Sequence, residues 1–336
     1  GIIDGNLENL KNDYGYIGSS RDLKRYHTLT EQLIGAHYNL TPVPWIQAGI
    51  TAYLSEFTPE INPDIRNIED NYLFRGKRNF VYDTNFDLRV GKLNLNLIYA
   101  GNVTDRNTGG VAWLVQPIFN LSPVTVYADI HKYDINYNNI HGSPRSLDRE
   151  EPRNEEAVLF GTGLKINKLE FLAEYGVYRN PIAVYSGSYG TLTPNIIPTI
   201  YADLMYQILP NVMLHYLERD NWEKQKFNVS APGAVDLPVY KGQHRVEVSG
   251  NFKKASLKLR YEYKQYIIKN NPQIINTAGE AINTYSEGSL VYVDTKYNLT
   301  PQLSVNLRGV FFNGPVDNVY LCAVEPLWSQ VYMSKT

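Results

Sequence analysis

Charged side chains recur at even spacings in this chain, which sets them in rows on one face of an extended segment. Lys258, Arg260, Glu262 and Lys264 form one row, and Asp83, Asp87 and Arg89 another. Such rows suit electrostatic sorting of solutes along a wetted wall. Covalent chemistry is poorly served. The six histidines are His27, His37, His131, His141, His215 and His244, and neither a G-x-S-x-G elbow nor an H-E-x-x-H motif occurs. Gly187-Ser188-Tyr189-Gly190 lacks the elbow's spacing. The single Cys322 cannot form an internal disulfide, and its place near the last strand suggests packing. Asp148, Glu150 and Glu151 fall short of the twelve-residue spacing of a calcium loop. The sequence therefore predicts no enzyme activity, no metal and no cofactor.

The rows must be carried by strands. From Phe80 to Val90 every second residue is apolar or small (Phe80, Tyr82, Thr84, Phe86, Leu88, Val90), and between them Asp83, Asn85, Asp87 and Arg89 are polar or charged. After Gly91-Lys92, the stretch Leu93-Asn94-Leu95-Asn96-Leu97 repeats the alternation on the way back. One face wants hydrocarbon and the other water. Because the pattern recurs along nearly the whole chain, it predicts a transmembrane β-barrel rather than a soluble sandwich or propeller. The 27 tyrosines fit an interface girdle, with ring in lipid and hydroxyl at the headgroups. Absence of any apolar run of about 20 residues excludes helical spans. A mean hydropathy of −0.34 is no objection, since half of each barrel strand faces water. A net charge of −2 gives no reason to expect nucleic acid as a partner. The opening Gly1-Ile2-Ile3-Asp4 has no basic n-region or apolar h-region, as expected if a signal peptide is removed or was never present.

Tight turns are expected near Thr41-Pro42, Gly91-Lys92, Ser122-Pro123, Asn167-Lys168, Pro210-Asn211, Lys253-Lys254 and Thr300-Pro301. Three are near copies: Tyr38-Asn39-Leu40-Thr41-Pro42, Phe119-Asn120-Leu121-Ser122-Pro123 and Tyr297-Asn298-Leu299-Thr300-Pro301. Each places an aromatic at a strand end, then a proline where the ladder must stop. Longer polar segments alternate with them, roughly 58–79, 136–154, 180–199, 221–242 and 267–287. The expectation is a single domain over residues 1–336: an antiparallel up-and-down barrel with short periplasmic turns and long extracellular loops. Seven hairpins, with a strand in 1–24 and another in 319–333, give about 16 strands, with 14 or 18 as alternatives.

In these features the chain resembles the bacterial outer-membrane porins and related substrate channels. The resemblance covers nearly its whole length and rests on architecture, without a short motif that assigns a sub-family. It implies a Gram-negative outer membrane, contact with lipid bilayer and lipopolysaccharide, passive transport of small polar solutes or ions, and a homotrimer in many members. Many members end on an aromatic residue, whereas this chain ends Tyr332-Met333-Ser334-Lys335-Thr336.

Turning the polar faces inward sorts the charges into two arcs. Asp83, Asp87, Asp129, Glu170, Glu174 and Asp203 line an acidic one, alongside Arg89, Lys165, Arg219, His131 and His215. Arg245, Lys258, Arg260, Lys264, Lys296 and Arg308 line a basic one, alongside Glu247, Glu262 and Asp294. Two readings follow: a transverse field across a water-filled pore, or ladder neighbours that simply pair. Charged loops at 58–79 and 136–154 are candidates for a constriction or for a solvated outer surface. The alternative function is a barrel sleeve or surface protein that houses or binds a partner protein.

Overall fold

A computed structural model describes residues 2–3, 6–7, 29–62, 72–106, 109–139, 141, 154–182, 185–186, 189–190, 195–229, 233–275, 281–300 and 303–314. The chain is all-β. Fourteen long strands follow one another in an up-and-down sheet: β1 (Thr30–Val43), β2 (Ile46–Ile61), β3 (Gly76–Val90), β4 (Leu93–Thr104), β5 (Val111–Asn120), β6 (Val124–Tyr133), β7 (Glu155–Ile166), β8 (Leu169–Asn180), β9 (Asn195–Leu209), β10 (Val212–Val229), β11 (Gly233–Asn251), β12 (Ala255–Ile275), β13 (Ala281–Asn298) and β14 (Ser304–Asn313). Each pairs antiparallel with its neighbours in sequence. A two-residue pair, Ile2–Ile3 with Asn6–Leu7, adds to the sheet through Leu7, which runs parallel to Ile61. Tyr185–Ser186 and Tyr189–Gly190 form a separate small ribbon. Among the described residues no ladder joins β1 to β14, and the strand expected in 319–333 lies outside them.

All seven expected hairpins are present. Gly91 and Asn167 sit at tight turns with φ of 59° and 49°, the left-handed backbone that two-residue hairpin loops demand. The first turn is displaced: β1 continues through Thr41-Pro42, and the chain reverses at Pro44-Trp45. The ladder shifts register between Leu40 and Val43, around the proline, which has no N–H to offer. Two expected loops are corrected as well. Most of 221–242 and 267–287 is strand, because β10 and β11 pair through to Val229 and Gly233, and β12 and β13 to Ile275 and Ala281. Cross-strand pairing there satisfies the backbone without needing an apolar face.

The exposed face carries large hydrophobics, including Ile34, Ile50, Phe80, Phe160, Ile196, Leu257, Leu259, Leu307 and Phe311. Tyr38, Phe119 and Tyr297, the aromatics of the three near-copied turns, lie on that face at the tight-turn end. The first outward charges on β2, β6, β7 and β8 are Glu56, Lys132, Glu156 and Arg179. They lie about nine to eleven residues from the tight turns, which at about 3.3 Å per residue and about 40° tilt gives an apolar belt about 25 Å tall. Strand β10 interrupts the belt early with Glu218 and Asp220, which accept hydrogen bonds from the Tyr216 and Tyr240 hydroxyls at 2.9 and 2.8 Å.

Candidate functional site on the inner wall

Register carried from strand to strand puts all twelve charged residues of the two arcs on the face opposite the apolar belt. Asp83 stands across from Thr51 and Ala100, Glu174 from Gly161 and Tyr201, Lys258 from Ser249 and Asp294, and Asp294 from Arg308.

On the acidic side most carboxylates are already engaged. Asp129 is fully buried, and its Oδ1 lies 2.7 Å from His131 Nδ1, so it meets no water. His131 Nε2 lies 2.9 Å from Glu155 Oε1 on β7. The ring thus bridges carboxylates on two adjacent strands. Glu170 pairs with Lys165 across the β7–β8 turn. Asp203 accepts from the Tyr201 hydroxyl and meets His215 Nε2, both at 2.9 Å. The Tyr127 hydroxyl donates to Glu174 two strands away, and Gly161 on the strand between makes this possible. A Cβ at Gly161 would stand 2.2 Å from the Tyr127 ring. Asp83 and Asp87 have no such partner among the described residues, so they are the acids of this arc left to face the interior.

The basic side is a lattice. Glu247 receives Arg260 at 2.8 Å and Lys258 at 3.3 Å; Glu262 receives Arg245 at 3.0 Å, Lys264 at 3.4 Å and Gln243 Nε2 at 2.8 Å. Arg308 meets Asp294 at 3.0 Å. The guanidinium groups of Arg260 and Arg308 stack over the Tyr292 ring, at 5.4 and 5.3 Å from its centroid, and the Tyr292 hydroxyl donates to Asp294. Lys296 is exposed. Ladder neighbours therefore do pair on both arcs, and bases outnumber acids on the second.

After β6 the chain folds over the inner faces of β1 to β5. Asn102 organises this contact. Its Oδ1 accepts from the backbone N–H groups of Gly110 (3.0 Å) and Asn138 (3.1 Å), and its Nδ2 donates to Asn79 Oδ1 (3.2 Å). Asn79 Nδ2 donates to the Asn138 carbonyl at 3.0 Å, and the Tyr53 hydroxyl to Asn139 at 2.7 Å. His141 reaches Glu31 on β1 at 2.7 Å. Tyr137 packs against Tyr133, Ala100 and Ala112, and burial pushes its hydroxyl above the ordinary tyrosine range. This part of the 136–154 segment does turn inward; Arg145, Asp148, Arg149, Glu150, Glu151 and Arg153 lie outside the described residues.

The wall is not polar along its whole length. At the end far from the tight turns its inward side chains form buried apolar clusters: Phe57, Ile61 and Phe74; Ala157, Leu159, Tyr178 and Ile197; Leu237, Val239 and Ile268. Most of these clusters lie further from the tight turns than the charged arcs, though Leu159 stands opposite Asp129 and the buried Glu155 lies beyond Ala157. Alternation showed which side chains turn inward, but it held no sign of what covers them.

No protein-family model matches the chain, and no curated protein matches it. Among solved structures, the loop L8 deletion form of OmpT, an outer membrane protein of Vibrio cholerae, overlays with a TM-score of 0.37 at 10% identity, covering 87% of this chain and 96% of that one. OmpT in its in-vitro folded trimer form gives 0.35 at 10% identity, covering 85% and 87%. A bacterial polysaccharide outer membrane secretin gives 0.41 at 7% identity, covering 84% and 87%. Overlays this weak assign neither family nor activity.

Proposed function

We propose that this chain is a β-barrel of the bacterial outer membrane that passes small polar solutes or ions through a charged interior, without a catalytic step. One observation carries the reading: all twelve charged residues of the arcs share one face, while the other bears an apolar belt about 25 Å tall with aromatics at the tight-turn end. Lipid solvates the belt, and the tight turns face the periplasm. The inner wall near those turns forms a hydrated vestibule, and the segment after β6 narrows the passage beyond it.

The buried apolar clusters at the far end favour a second reading, a barrel whose interior is filled at the extracellular side and which serves as a sleeve for a partner. Single-channel recording of the purified, heat-modifiable protein in planar bilayers separates the two. Stable conductance steps, with a reversal potential under a salt gradient, support the channel. A folded but silent barrel overturns it in favour of the sleeve.

A further inference from the structure

We infer that the inner wall of β11 to β14 is a binding track for oxyanions carrying two or more negative charges, phosphate-like or dicarboxylate-like, rather than a neutral lattice of ion pairs. The inference rests on the channel reading only in placing this wall in contact with solution.

Among the described residues of β11 to β14, Arg245, Lys258, Arg260, Lys264, Lys296 and Arg308 share the wall with the carboxylates of Glu247, Glu262 and Asp294, six cations to three acids. Lys241, one step further along β11, is matched by Glu223 on β10 and adds nothing to the excess.

The side chains of Glu247 and Glu262 are 11% and 6% exposed, whereas those of Lys258, Arg245 and Lys264 are 41%, 24% and 25% exposed. Glutamate is the shorter side chain, and each is flanked by two longer bases that close over it. The carboxylates lie at the sheet and the cations rise from it, so an approaching solute meets the positive ends first.

Arg260 and Arg245 each spend the Nε and one terminal nitrogen on a single carboxylate, and the guanidinium carries further N–H groups on its free edge. Lys258 and Lys264 each present three donors, and each has a contact with one glutamate. Uncommitted donors and uncompensated charge coincide along β12, where cations two residues apart lie about 7 Å from one another. A single chloride answers one such position. A dianion answers two, and its attraction to the wall is correspondingly larger.

The remainder of the interior supports this placement. Asp129, Glu170, Glu174 and Asp203 on the acidic arc are occupied by His131, Lys165, Tyr127 and His215, and none of them reaches over to cancel the excess on β11 to β14. Asp83 and Asp87 repel an anion from their own wall and so confine it to this one.

The test uses the full-length barrel in planar bilayers with chloride as the carrier ion. Inorganic phosphate at pH 7.5 and malonate are added separately at constant ionic strength. Either dianion is expected to reduce the chloride current saturably. The double variant Lys258→Gln/Lys264→Gln, which leaves each glutamate its arginine, is expected to weaken the block by about tenfold. A conducting barrel whose current ignores both dianions, or whose block is equal in wild type and variant, overturns the inference and leaves the channel reading standing. If the barrel is silent the channel reading fails, and calorimetric titration of phosphate into the detergent-solubilised, heat-modifiable protein decides the inference alone. Binding lost in the double variant upholds it; absence of binding to wild type overturns it.

Discussion

Replacing Leu259 by arginine tests the assignment of faces at its most demanding point. Leu259 is outward on β12 and 46% exposed, with Leu257 and Tyr261 beside it on the same face. It lies about five residues from the tight turn, so about 13 Å above it, near the middle of a belt about 25 Å tall. An arginine at mid-membrane costs about 2–4 kcal/mol. At about 1.4 kcal/mol per factor of ten, the folding equilibrium falls by about 30- to 1000-fold. Gln265, on the same face of β12, lies about eleven residues from the turn, so Gln265→Arg should cost only about 0–1 kcal/mol. Arg260→Ala, one residue away on the opposite face, leaves Glu247 its contact with Lys258 and should fold. The assay is urea titration of folding in phosphatidylcholine vesicles, followed by tryptophan fluorescence and heat-modifiable gel mobility. Equal costs at 259 and 265, or a larger loss for Arg260→Ala than for Leu259→Arg, would refute the faces and the belt height together.

Three further outcomes are expected. Asn102→Ala removes the acceptor shared by Gly110 and Asn138; it should cost about 1–3 kcal/mol and release the segment after β6, read as a larger unitary conductance than wild type. Gly161→Val drives the Tyr127 ring off Glu174; loss of stability should match that of Tyr127→Ala, and the double variant should be no worse than either alone, measured by the same urea titration. His131→Leu leaves the buried Asp129 and Glu155 without the ring that bridges them, and a lower urea midpoint than wild type checks the pair of contacts.

Much of this architecture was legible in the sequence, because alternation has a period of two and so does the strand. That period alone put Asp83 and Arg308, far apart in the chain, on a common face. Proline and glycine marked the hairpins, though Pro42 marked a ladder defect in place of the reversal itself. The upper parts of β10 to β13 were missed because Trp222-Glu223-Lys224 and its partners no longer alternate cleanly, and hydrophobic pattern was the signal in use. Contacts set by inter-strand register were likewise out of reach. The Asp129-x-His131 spacing hinted at a same-face pair, but Glu155 enters only through pairing of β6 with β7. Tyr127 over Gly161 depends on a missing side chain, which periodicity does not weigh.

The charge lattice of β11 and β12 has a consequence for how such a sheet is assembled. A slip of two residues keeps every side chain on its proper face, so alternation is blind to it. In the native alignment Arg245 stands opposite Glu262 and Glu247 opposite Arg260. Slipped two residues one way, Arg245 would face Lys264 and Glu247 would face Glu262; slipped the other way, Arg245 would face Arg260. Either error sets like charges directly opposite one another, which is destabilising. The charges of this wall thus index strand position, and they disfavour the class of misalignment that greasy and polar stripes let through.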